Sequence, residues 1–191
     1  ADAASRAKLE RLRDASADER LLIGRLALLT APHTWTHCAS RQPKLFGYLG
    51  TVEMLMRALR RLEARGLVDL HALDAPQAER PRTLEVLEGV TVDVLKRTRA
   101  LCGDTKGAKN KDAQVASLRA LDRASGSKLK LEEHLVASYA AVAKEDETKD
   151  DLKEEGKKDP LVAMLRGGGG GALLTFVRLD ATVDELLRRA M

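Results

Sequence analysis

At Gly66 the spacing of apolar residues changes from helical to alternating, and that switch limits the folds open to this chain. Before it, Val52, Leu55, Leu59 and Leu62 recur at three- and four-residue intervals, one face of a helix over residues 51–65. After it, Val68, Leu70 and Ala72 alternate, the pattern of a strand with one face turned inward. Glycine suits the junction, because a helix commonly ends in a left-handed residue that only glycine adopts without steric cost. Leu84 and Val86 alternate again after the break Asp74–Pro81. The pattern predicts an antiparallel hairpin of residues 67–72 and 83–87 with a long tip.

The rest of the chain reads as helix. Ser16 and Glu19 form an S-x-x-E capping box that restarts a helix within residues 3–29, with Leu22, Ile23, Leu26 and Leu29 as its apolar positions. Residues 30–44, between and around Pro32 and Pro43, are irregular, and Leu45–Leu49 is a short turn or helix. Helices are expected at 90–102, 112–124 and 128–147. Lys144–Asp159 is a charged run, Asp159-Pro160 opens a short helix to Arg166, and Gly167–Gly171 is a linker. A final helix starts at Thr182, whose Glu185 completes T-x-x-E. The expected fold is mostly α, a helical domain with a small β-hairpin and helical extensions. Its blocks are 1–102, 103–147 as a linker and helical pair, and 148–191 as a partner-binding extension.

Composition narrows the class further. With 44% apolar, 32% charged and 3% aromatic residues, the 191-residue chain is neither collagen-like, nor a disulfide scaffold, nor wholly disordered. Its longest apolar runs, such as Leu21–Ile23 and Ala172–Leu174, are far short of the roughly 20 residues of a membrane-spanning helix. Asp2, Glu10 and Asp14 with no apolar core at the start argue against a secretory leader. Two cysteines, Cys38 and Cys102, fit a reducing, intracellular compartment. The net charge of +4 lies wholly in residues 1–102, which carry 14 Arg and 3 Lys, whereas residues 103–191 are neutral and carry 6 Arg and 10 Lys. Arginine suits bidentate contacts and lysine a solvated surface, so contacts should concentrate in the first half.

The order of features over residues 44–95 resembles a winged helix-turn-helix domain. LFGYLG at 45–50 resembles the end of a helix and its turn, and LMRALRRLEARGLVDL at 55–70 a recognition helix entering the first wing strand. Arg80-Pro81-Arg82 would lead into the returning wing strand. The resemblance implies backbone contacts to nucleic acid from Arg57, Arg61, Arg80 and Arg82. The chain departs from the DNA-reading pattern where base edges would be met, at Glu53 and Met54. The same fold serves as a protein-docking unit in large assemblies, which Met54 suits better.

No residue set points to catalysis. His33, His37 and Cys38 are near in sequence, but Pro32 and Pro43 argue against one helix and a fourth metal ligand is wanting. Gly167–Gly171 lacks the following lysine and hydroxyl residue of a phosphate loop. His134 with Glu132 and Glu133 is a solvated face. The chain is therefore expected to be no enzyme and to need no cofactor or metal. The function expected is that of a structural subunit of a large assembly, with an organellar ribonucleoprotein such as a mitochondrial ribosome as one candidate. Its partners would be other protein subunits, with an RNA or DNA backbone as a further contact. The alternative is a winged-helix DNA-binding regulator, dimeric through residues 3–29 and 112–147. Candidate partner-binding residues are Trp35, Met54, Leu173, Phe176, Leu186 and Leu187. Ala172–Met191 carries Leu173, Leu174, Phe176, Val177, Val183, Leu186 and Leu187 behind a glycine tether, and the tether favours a partner over the chain's own core.

Overall fold

Caps written into the sequence set several helix boundaries in the computed structural model, which describes residues 3–38, 47–74, 80–104, 107–108, 110–126, 128–150 and 174–190. Helix α1 spans Ala3–Arg13 and α2 spans Ala17–Leu29. Between them the Glu19 amide donates to Ser16 Oγ at 3.2 Å and the Ser16 amide to Glu19 Oε2 at 2.9 Å, the expected capping box. A 3-10 turn at Gly47–Leu49 precedes α3, Val52–Ala64, whose Met54 amide donates to Thr51 Oγ1. Gly66 closes α3 at φ +64°: its amide donates to Glu63 O and the Leu67 amide to Leu62 O, a Schellman pair. Helices α4 (Arg80–Val86), α5 (Val92–Leu101), α6 (Lys111–Ala124) and α7 (Leu131–Asp150) follow. Lys144–Asp150 of the charged run thus continue α7. The last helix, α8 (Ala181–Ala190), is capped by Asp180, which accepts from the Thr182 and Val183 amides at 3.1 and 3.2 Å. The cap therefore falls two residues before the expected Thr182. The expected helix from Pro160 and the glycine linker lie outside the described residues.

The fold is mostly helical with a small antiparallel sheet, but the strand pairing differs from the expected hairpin. Strands β1 (Thr36–His37), β2 (Val68–Ala72) and β3 (Thr175–Leu179) form a sheet of order β1-β3-β2. Val68 lies opposite Leu179, Leu70 opposite Val177 and Ala72 opposite Thr175, while Thr36 and His37 face Val177 and Phe176. Residues 80–86 are helix, not the returning strand. Leu84 and Val86 alternate, yet Thr83, Val86, Leu87 and Val90 also recur at three- and four-residue intervals, and all four are buried. Helical spacing describes that segment better, and a two-point alternation could not exclude it.

Alternation along β3 feeds two cores, one on each face of the sheet. Val177 and Leu179 join Leu22, Ile23 and Leu26 of α2, Leu55, Leu59 and Leu62 of α3, and Val183 of α8. Leu174 and Phe176 join Trp35, Val94 and Leu95 of α5, Val115 and Leu118 of α6, and Leu131, Leu135 and Tyr139 of α7. The division expected at residue 102 therefore runs through the second core, and the block expected to extend from 148 supplies the central strand. The tail packs on its own chain. Burying Phe176 completely against His37 and Tyr139 gains more than tethering it in water for a partner to find.

Gly89 marks the tightest approach in this packing, because a Cβ there would sit 2.7 Å from Trp35 O and 3.1 Å from the Phe176 ring. Replacing Gly89 with Ala should therefore destabilise the fold by about 1–3 kcal/mol through overpacking. Phe176→Ala should cost about 3–5 kcal/mol. Urea unfolding followed by circular dichroism measures both, and a Phe176→Ala chain of unchanged midpoint would contradict the central placement of β3.

Candidate functional site

Helix α3 buries Leu55, Ala58, Leu59 and Leu62, so its opposite face carries Glu53, Met54, Arg57, Arg60 and Arg61 into solvent. Of the arginines expected to clamp a nucleic-acid backbone, Arg61 is engaged within the chain. Its Nε donates to Glu19 Oε1 at 2.8 Å, and Arg65 lies 3.8 Å from Glu19 Oε2. Glu19 is almost wholly buried. Burial pushes its carboxyl up, but the Ser16 amide, the Arg61 hydrogen bond and the charges of Arg65 and Arg61 outweigh this and hold it below the usual value. Arg57 is exposed. Arg80 and Arg82 sit on α4, which belongs to the other core; Arg82 is exposed, and the Arg80 side chain lies outside the described residues. The four arginines are thus divided between two elements rather than set around one wing.

Of the residues expected to bind a partner, Met54 is 52% exposed. Trp35 and Phe176 are buried, so they serve the chain's own core and not a surface. Leu173 lies outside the described residues. Leu186 and Leu187 are half-buried, Leu187 against the α2–α3 core.

Residues 3–29 are expected to pair only in the regulator reading, which does not single out the outward residues of α2. Leu22, Ile23, Leu26 and Ala27 face the core, but Leu21 and Leu28 stand out at 46% and 67% exposure. At about 100° per residue, Ala17, Leu21, Gly24 and Leu28 fall within roughly 60° of one another, one apolar stripe along the outside of the helix. A Cβ on Gly24 would meet nothing within 4 Å. One edge of the stripe is bordered by Asp18 and Arg25, with Arg25 Cζ 4.7 Å above the Tyr48 ring and Tyr48 Oη donating to Asp18 O. The signal was present in the sequence as A-x-x-x-L-x-x-G-x-x-x-L. It was masked because the helix is apolar nearly all round, so its core face and its outward face compete for the same reading.

The groups weighed as metal ligands occupy three different environments. The His33 side chain lies at the surface, 3.5 Å from Asp184. His37 is buried between Tyr139 and Phe176, with ring centroids at 4.7 and 5.0 Å. Cys38 lies in the α2–α3 core, where burial pushes its thiol up to about 12. Among the described residues no three His, Cys, Asp or Glu side chains gather closely enough to hold a metal ion. An open groove of about 680 Å³ runs beside α6, floored by Val115, Ala116 and Ala120. At its wall Arg119 donates to Glu88 Oε1 at 2.9 Å and to Leu84 O. Among the described residues no helix is long and apolar enough to cross a membrane.

The Glu19 cluster makes α3 hold its angle to α2, so acid should loosen this face. A carboxyl held below its ordinary value stabilises the fold fully above that value, and the contribution drains away as pH falls through the lowered one. Glu19→Gln should cost about 1–3 kcal/mol at neutral pH. Urea unfolding of both chains between neutral and acid pH should show their difference shrinking on acidification; a constant difference would contradict it.

With the outward faces of α2 and α3 in place, the chain stands without a relative to compare: no family model, no curated protein and no solved structure matches it.

Proposed function

We propose that this chain is a non-catalytic docking subunit, joined to a protein partner through the outward faces of α2 and α3. The exposed apolar stripe of α2 carries this reading. Leu21 and Leu28 are partly covered by the chain, so burying the rest would release about 1–2 kcal/mol each. Met54 supports it, since its flexible thioether suits an interface and cannot read a base edge by hydrogen bonding.

The core that presents these faces is winged-helix-like in this proposal. An amphipathic helix, α3, turns at Gly66 into β2, β2 pairs with a returning β3, and β1 lies beyond it. Residues 73–174 then replace the tip of the wing, and α4–α7 from that insertion cover the outer face of the sheet. Such an insertion turns a wing that could enter a groove of DNA into the floor of a second core.

A second reading, a DNA-binding regulator, is favoured by Arg57 and Arg60. Both are exposed on α3. Glu53, in the first turn of the same helix, opposes it by facing phosphate with like charge.

A photoreactive residue at position 28 should give adducts with protein in cells, and one at position 57 should give none with nucleic acid. The opposite outcome would favour the regulator: nucleic-acid adducts from position 57, and a salt slope for duplex binding reduced by about 2 in an Arg57→Ala, Arg60→Ala chain.

A further inference from the structure

We propose that the α2 stripe takes a second copy of itself, packed antiparallel about a two-fold axis. This rests on the docking reading and names its occupant. The gaps along Ala17, Leu21, Gly24 and Leu28 are four, three and four residues, so the stripe reads the same from either end. In an antiparallel pair centred between Leu22 and Ile23, Leu21 of one copy lies opposite Gly24 of the other, and Leu28 lies opposite Ala17. Each large side chain meets a small one, the self-complementarity that a two-fold interface requires.

Gly24 supplies an independent argument. Mid-helix glycine is the least favourable residue after proline. Among the described residues nothing needs it: its φ is not positive, and a Cβ there would meet no atom of another part of the fold within 4 Å. Room for the Leu21 side chain of a second copy accounts for it.

The edges of the stripe agree. In an antiparallel pair about such an axis, equivalent edges meet. Asp18 of one copy then comes level with residue 27 of the other, about half a turn from Arg25, and the two-fold repeats the pair. Arg25 is held over Tyr48 along this edge, and Asp18 is exposed. On the other edge Arg20 is drawn back, its Nη1 donating to Arg13 O and Ala15 O at 3.0 and 2.5 Å, which keeps like charges apart.

Sedimentation of the full chain over a concentration series tests this. The expected result is a reversible dimer of the 20.8 kDa chain, with a dissociation constant on the order of micromolar because one helix pair makes a small interface. Leu28→Glu should weaken it about tenfold or more. Gly24→Leu should abolish it while the circular dichroism stays native, an effect that a role for Gly24 within one chain does not produce. Asp18→Arg should weaken the dimer, and adding Arg25→Asp should restore it. A monomer at about 100 μM overturns the proposal, as does a dimer that survives both Leu28→Glu and Gly24→Leu. If such a monomer still gives adducts with a different protein from position 28, the two-fold pairing fails and the docking reading stands. If no protein adduct forms, both fail.

Discussion

The pairing of β3 with β2 and β1 is the interaction on which the rest of the structure depends. Thr175–Leu179 lies between two strands that come from residues 36–37 and 68–72, roughly 100 residues or more away along the chain. Successive side chains of a strand point to opposite faces. Phe176 therefore completes the α5–α7 core and Val177 the α2–α3 core, and neither core closes without the strand. A strand covered on both faces needs apolar residues at successive positions, and Leu174–Leu179 meets that demand except at Thr175 and Arg178. Arg178 is admitted because its charge is matched. It pairs with Asp69 at 3.0 Å and Glu85 at 2.9 Å and stacks 4.4 Å over Trp35, tying β3 to β2, α4 and the approach to β1.

The same matching engages three of the arginines in the first half of the chain. Arg61 and Arg65 neutralise the buried Glu19, and Arg99 pairs with Asp104 at 2.8 Å with both side chains largely covered. These arginines fasten elements to one another. The fork of donors that makes arginine a phosphate ligand equally suits it to hold a buried carboxylate, so composition alone could not separate the two uses. Outward apolar residues are left on α2, at Leu21 and Leu28, whereas α3 presents Met54 among charged neighbours.

Local signals were legible in the sequence, and distant pairings were not. The capping box at Ser16, the turn at Gly66 and the buried positions Leu55, Leu59 and Leu62 each depend on residues within one turn, and they stand as expected. Val68–Ala72 was legible as a strand, but alternation fixes which face is buried and not which strand lies alongside. Neighbouring segments usually pair, so the hairpin was the natural inference, and it placed a strand where α4 lies. Ala172–Met191 had to bury its apolar groups somewhere, and a glycine tether is compatible with either destination. Only the gap between β1 and β2, which no local pattern announces, shows why its own chain takes them. The α2 stripe was hidden for the reverse reason: one helix carried two apolar faces, and the core-facing one was read first.

The central claim is that β3 is the shared middle of both cores, so that the sheet opens only when the fold does. Native-state hydrogen exchange on the amides of residues 68–72 and 175–179 tests it most directly. The account predicts that the hydrogen-bonded amides of both strands, His71 and Arg178 among them, exchange together at the rate of global unfolding. Early exchange across residues 175–179 while the α3 amides stay protected would show a detachable tail and contradict it.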